Sequence, residues 1–232
     1  DQNNQLYFIN KNNGEKLIEI PTEETVMNND FRNNLSSNNN LLFYINTFGS
    51  LYAIDINNMR LVWFVNLNQS LNLNPRSIFI GNRIINNDDK IVISSNEHTY
   101  IINQNTGSTL YKKNFSSELK PVILDKYLFT ITKNKFLISM NIDSGEIIYS
   151  YDLNSKIAEF LNTKKRDADF KNLMILNGKI IIFLTNSFLL ISDISGNLEQ
   201  IRKLPTKINS YPIIIDRSLL YLDKKNRLSI ID

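Results

Sequence analysis

Apolar and polar residues alternate along most of the chain in short runs separated by turn residues. In "GSLYAIDINNMRLVWFVNL" (49–67), Leu51, Ala53 and Asp55 fall on one side, and Tyr52, Ile54 and Ile56 on the other. That two-residue period is the period of a strand. A polar turn separates this run from a second one. The arrangement then recurs as "YFINKNNGEKLI" (7–18), "YAIDINNMRLVW" (52–63), "YIINQNTGSTLY" (100–111), "ISMNIDSGEIIY" (138–149) and, more loosely, "LLISDISGNLEQI" (189–201). The turn position holds Gly14, Met59, Gly107, Gly145 and Gly196, at intervals of 45, 48, 38 and 51 residues. Glycine suits the left-handed backbone of such turns. Met59 therefore predicts a different turn geometry in its own copy.

Further short apolar runs precede each copy. They are "LLFYIN" (41–46), "SIFIG" (77–81) with "KIVISS" (90–95), "PVIL" (121–124) with "YLFTIT" (127–132), and "LMIL" (173–176) with "KIIIFLT" (179–185). The chain closes with "PIIID" (212–216), "SLLYLD" (218–223) and "RLSIID" (227–232). Four strands, A to D, recurring every ~40–50 residues are the pattern of a propeller blade. The expectation is an all-β fold: a β-propeller of four-stranded antiparallel blades, with about five and a half blades in residues 1–232. A two-layer sandwich is the competing arrangement. The chain opens at a C strand of Asp1, not at Met, and closes at another C strand. The reading is a single propeller lacking its N-terminal blades, part of an eight-bladed ring, with any targeting signal outside the segment. One helix is expected within 153–170, where Ile157, Phe160 and Leu161 have helical spacing. Residues 21–40 read as a long polar loop with a weak strand near Thr25–Met27.

Composition narrows the chemistry. The chain has 26 Lys and Arg against 23 Asp and Glu, a net charge of +3 without a loaded face. This gives no reason to expect nucleic acid. The densest cluster, Lys164-Lys165-Arg166, is followed by Asp167 and Asp169 and reads as a solvated loop, with a docking patch as the alternative. Absence of cysteine removes disulfides, thiolate chemistry and Cys-ligated metals. No apolar run reaches 18 residues, so no membrane-spanning helix is expected. His98 is the one histidine, placed in a B–C turn, which removes a catalytic triad or a His-rich metal site. Asn86–Lys90 lacks the ligand spacing of a calcium loop and reads as a polar turn. Gly49, Gly81 and Gly178 stand alone, without phosphate-cradling spacing. No catalytic, cofactor or metal residue is assigned.

The repeat "YAIDINNMRLVW" resembles the PQQ-type propeller repeat. Tyr52, Ala53, Asp55 and Trp63 match, Met59 departs from the usual glycine, and Tyr111 and Tyr149 stand where the repeat has Trp. The resemblance implies that Trp63, Tyr111 and Tyr149 pack between neighbouring blades, as large rings filling a wedge would. Quinoprotein dehydrogenases share the repeat, and by that resemblance a member would need a calcium site, a catalytic Asp and adjacent cysteines. "SYPIIIDRSLLYLDKKNRLSIID" and "NLMILNGKIIIFLTNSFLLISDISGNL" resemble the last two blades of the BamB lipoproteins. That resemblance implies a non-enzymatic periplasmic scaffold of the machinery that assembles outer-membrane β-barrels. Its partner would be a BamA-like subunit, with no small-molecule substrate, and the membrane would be met only through a lipid anchor outside this segment. The loop "NQSLNLNPRS" (68–77) brings Leu71, Leu73 and Arg76 together as candidate protein-binding residues; burial of both leucines under the ring is the alternative. By the same resemblance, this inter-blade loop lies where BamB-like proteins meet BamA. A lumenal stress-sensor propeller is a further alternative, which a following transmembrane helix and kinase would identify.

Overall fold

Most of the strands that the alternation predicts form, and two more form where it does not predict them. The computed structural model describes residues 3–23, 34–68, 79, 84–95, 97–216 and 218–231, and the chain divides into two compact units, 1–116 and 117–232. In the first unit, β1 (Leu6–Ile9) pairs with β2 (Lys16–Ile20). A second sheet contains β3 (Asn34–Asn38), β4 (Leu41–Ile45), β5 (Ser50–Asp55) and β6 (Arg60–Asn66). A third contains β7 (Ile85–Asn87), β8 (Lys90–Ser94), β9 (Thr99–Asn103) and β10 (Thr109–Lys113). In the second unit, the sheets are β11 (Val122–Leu124) to β14 (Ile147–Asp152), β15 (Phe170–Leu176) to β18 (Leu198–Lys203), and β19 (Ile213–Ile215) to β21 (Leu228–Ile231). Between them run β12 (Tyr127–Ile131), β13 (Phe136–Asn141), β16 (Lys179–Leu184), β17 (Phe188–Asp193) and β20 (Ser218–Leu222).

Each sheet is an antiparallel meander in chain order, and most have four strands. These are blades of the β-propeller kind, and the all-β expectation holds. The helix α1 (Leu153–Phe160) has eight residues. Strand β5 shows why the pattern specifies stacked sheets: Leu51 and Ala53 enter one core cluster with Ile91, Ile93 and Ile102 of the third sheet. Tyr52 and Ile54 enter another with Leu6 and Ile20 of the first. Both faces of this central strand are buried, as a sheet packed between two others requires.

The missed strands are the first of their sheets. Residues 34–38 read as loop, yet form β3. The apolar run 77–81 read as a strand, but its one described residue, Phe79, is outside any strand, and β7 lies at 85–87. Thr25–Met27 lies outside the described residues. Both first strands are polar because they are linked by side-chain hydrogen bonds. Ser36 Oγ donates to Asn86 Oδ1 at 3.1 Å, Asn86 Nδ2 to the Ser37 carbonyl at 2.8 Å, and Asn38 Nδ2 to the Asp88 carbonyl at 2.8 Å. The expected helix forms within 153–170 and ends at Phe160. Asn162 is left-handed (φ 50°), and the following segment folds back: Asn154 Nδ2 donates to Asp167 Oδ1, and the Ala168 N–H to Asn154 Oδ1.

Met59 does not alter its turn. Its φ is 50°, of the same sign as Gly14, Gly107, Gly145 and Gly196 at 70–83°. The expected difference in geometry is absent because the loop keeps its length and Asp55 Oδ1 accepts from the Asn57 and Asn58 N–H groups. A side chain in that region costs about 1–2 kcal/mol, partly offset by the flexibility glycine restores to the unfolded chain. Met59→Gly is therefore expected to raise stability by about 0.5–1 kcal/mol, measured as a shift in the urea midpoint. An unchanged or lower midpoint would show that the Met59 side chain holds the turn.

Asp55 and Asp193 close two of the turns where Asn10, Asn103 and Asn141 close others. Hydrogen bonds from the Asn58 and Asn197 amides, then from backbone N–H groups, hold their carboxyls below the ordinary carboxylate value. An unfolded Asp titrates near pH 3.9, so such a group stabilises the fold above that value and loses its contribution as pH falls through the lower folded value. The Asp55→Asn/Asp193→Asn variant should keep its turns and lose stability less steeply between about pH 4 and 2. Parallel acid limbs in urea titrations of the two proteins would contradict this.

Candidate functional site

The aromatic residues singled out by the repeat sit four residues after the turn, one residue after a register shift. Leu17, Val62, Leu110, Ile148 and Glu199 are the skipped residues of the five hairpins, so that Ile18, Trp63, Tyr111, Tyr149 and Gln200 take equivalent places. Such a bulge twists the strand and re-aims the side chain that follows. Trp63 thereby reaches the turn of the third sheet. Its Nε1 donates to the Gln104 carbonyl at 3.0 Å, and a Cβ built on Gly107 would lie 2.7 Å from its ring. Tyr149 repeats this in the second unit: its hydroxyl donates to the Ile194 carbonyl at 3.0 Å, and a Cβ on Gly196 would lie 2.9 Å from its ring. Gln104 and Ile194 each follow the residue that caps its turn, so the two contacts are the same contact. Burial, reinforced by Tyr151 and Asp193, pushes the Tyr149 hydroxyl above its ordinary pKa. Trp63, Tyr111 and Tyr149 are all half-buried.

The β4–β5 turn, Asn46–Gly49, organises the loop that the sequence nominates for protein binding. Leu71, Leu73 and Arg76 lie outside the described residues. The two ends of their loop are described. The Leu67 N–H donates to the Gly49 carbonyl at 2.8 Å, and the Phe79 N–H to the Thr47 carbonyl at 2.9 Å. Both residues are buried, and the Leu67 carbonyl accepts from the Tyr100 hydroxyl at 3.2 Å. Gly49 (φ 84°) is required here, since a Cβ would sit 2.8 Å from the Phe79 ring.

The same turn holds the end of β2. Glu23 Oε2 accepts from Asn46 Nδ2 at 3.0 Å and from Ser50 Oγ at 2.6 Å. Asn4, fully buried, donates to Thr47 Oγ1 at 2.8 Å and accepts the Thr47 N–H at 3.3 Å. Burial, with Tyr52 beside it, pushes the Tyr44 hydroxyl up while it donates to the Asn4 carbonyl at 3.0 Å. Sequence reasoning took Gly49 for an isolated turn glycine and missed Asn4, Glu23 and Asn46. The Asn-x-x-Gly-Ser spacing was the available signal.

Cofactor chemistry finds little to work with among the described residues. No group of three or more His, Cys, Asp or Glu is placed to hold a metal ion. Asp89 pairs with Lys90 in the β7–β8 turn, and His98 sits half-buried in the β8–β9 turn with its ring 6.1 Å from Tyr100. A cavity of about 170 Å³ between β15–β18 and β19–β21 is mostly apolar, lined by Phe183, Leu189, Ile191, Leu219 and Ile231, with Arg202 and Lys203 as its charged residues. No helix among the described residues is long and apolar enough to cross a membrane.

No family model and no curated protein matches the sequence. Among solved structures the chain is similar to BamB from Moraxella catarrhalis, with a TM-score of 0.74 at 13% identity over 98% of this chain. It spans 66% of the length of that protein. It is also similar to the quinohemoprotein alcohol dehydrogenase from Comamonas testosteroni, with a TM-score of 0.62 at 8% identity over 86% of this chain and 41% of that one. The computationally designed Ika8 protein gives 0.51 at 10% identity over 94% of this chain and 74% of that one. Likeness at these identities is likeness of fold, the PQQ-like β-propeller. The adjacent cysteines implied by the quinoprotein resemblance have no counterpart in this sequence, which contains no cysteine.

A double-mutant cycle tests the ring-on-glycine contact. Trp63→Ala should cost about 2–4 kcal/mol. Gly107→Ala should cost about 2–4 kcal/mol alone and about 1–2 kcal/mol, the backbone share, once Trp63 is alanine. Additive losses in chemical denaturation would place Trp63 elsewhere.

Proposed function

We propose that this chain is a non-catalytic, BamB-like scaffold of the outer-membrane β-barrel assembly machinery, resident in the periplasm and binding a BamA-like subunit. Its six sheets act as successive blades of one propeller. The observation that carries the reading is the likeness to BamB across 98% of the chain. The resemblance of residues 172–198 and 210–232 to the closing blades of that family supports the same reading. The likeness to the alcohol dehydrogenase favours a second reading, a quinoprotein fragment. A single histidine, no cysteine and no described donor set weigh against it.

In this reading the 68–77 loop is the contact segment. Its ends are fixed on the β4–β5 turn by Leu67 and Phe79, which limits the conformations it loses on binding. Leu71 and Leu73 supply apolar contact, and Arg76 supplies a charged hydrogen bond. Replacing all three with Ala should weaken binding to the periplasmic domains of BamA from the same organism by about 2 kcal/mol or more, roughly thirtyfold, in calorimetric titration of the intact protein. An unchanged affinity would reject the loop assignment. No binding by the intact protein would reject the BamB-like reading itself.

A further inference from the structure

The second unit carries a charge arrangement that its folding does not require. Between β18 and β19, the fully buried Ile208 forms an antiparallel bridge with the buried Asp223. That bridge sets Lys207 opposite Lys224, whose N–H donates to the Lys207 carbonyl at 3.1 Å. Like charges directly opposite each other destabilise paired strands. Lys225 follows in the same exposed turn. On the other side, Lys171 of β15 donates its Nζ to the Ile208 carbonyl at 2.8 Å. Burial and the charge of Lys224 pull the Lys171 ammonium below its ordinary pKa.

The carboxylate in this cluster is already engaged. Asp223 Oδ2 accepts from Arg227 Nε at 2.9 Å and Nη2 at 2.7 Å, and its Oδ1 accepts from the Lys225 and Arg227 N–H groups. Among the described residues, Lys207, Lys224 and Lys225 form no ion pair. The backbone carrying them is held firmly. The Asn209 and Ser210 N–H groups both donate to the Leu222 carbonyl, and Asn209 Nδ2 donates to Asn226 Oδ1. Among the described residues these four lysines pair with no carboxylate, although their backbone is held firmly, and departures from local rules of this kind concentrate at functional sites.

We propose that Lys171, Lys207, Lys224 and Lys225 form a docking surface for an acidic polypeptide segment. Ammonium groups are separate point charges suited to spaced carboxylates. The guanidinium here, which would favour the bidentate geometry of a phosphate, is committed to Asp223. The surface continues into an apolar pair: Leu222 and Leu228, 38% and 61% exposed, stand opposite each other where β20 and β21 leave the turn. The segment it fits therefore carries Asp or Glu beside apolar side chains.

The test uses the full chain and a fluorescein-labelled peptide of four Glu-Leu repeats, followed by fluorescence anisotropy at low ionic strength. Saturable binding is expected, lost as salt screens the charges. Lys207→Glu should weaken binding about tenfold. It should also raise the melting temperature, because it places opposite charges across the bridge. A merely structural role would not move the two readouts in opposite directions. No binding by the unaltered chain, or binding by the Lys207→Glu and Lys224→Glu variants as tight as that of the unaltered chain, would overturn the proposal. So would binding to phosphatidylglycerol vesicles with no binding of the peptide.

Discussion

In each unit, one pair of neighbouring sheets is joined by an aromatic ring packed against a turn glycine. The glycine has no Cβ, so the ring can approach its backbone, and the turn's carbonyl then accepts from the ring's polar tip. Trp63 on Gly107 and Tyr149 on Gly196 satisfy the same geometry with different chemistry, an indole N–H in one and a phenol O–H in the other. At these two junctions one contact type thus combines close packing with a satisfied hydrogen bond. The bulge just before the ring is part of the device, since without it the side chain would point to the opposite face.

At the other end of the strands, polar groups take over from rings. The β4–β5 turn is held from three directions, by Asn4, by Glu23 and by Leu67 and Phe79 on either side of the 68–77 loop. Buried polar groups are favourable only when paired, and Asn4 and Asn46 meet that condition. A loop whose ends are fixed in this way can vary in sequence at its centre without disturbing the sheets.

The C and D strands were legible in the sequence because of period-two alternation on either side of a recurring turn residue, with a ring four positions later in three of the five hairpins. Met59 was misread because the rule was taken from glycine alone, whereas loop length and Asp55 fix the turn. First strands were illegible for a different reason. β3 and β7 face one another through Ser36, Ser37, Asn38 and Asn86, so their partners are polar and no apolar alternation is needed. The lysine cluster was invisible because Lys171, Lys207 and Lys224 are far apart in sequence and meet only through the Ile208–Asp223 bridge. Leu71, Leu73 and Arg76 were nominated by composition, and the structure bears on them only through the loop ends.

Trp63 is the chain's one tryptophan, so its fluorescence reads the central contact without labelling. The account predicts emission at shorter wavelength than that of a free indole, because the ring is half-buried against Gly107. It also predicts that urea unfolding followed by this emission coincides with unfolding followed by far-ultraviolet circular dichroism, since the ring joins sheets that fold together. Emission like that of a solvent-exposed indole in the native protein, or an indole transition completed before the strands are lost, would contradict it.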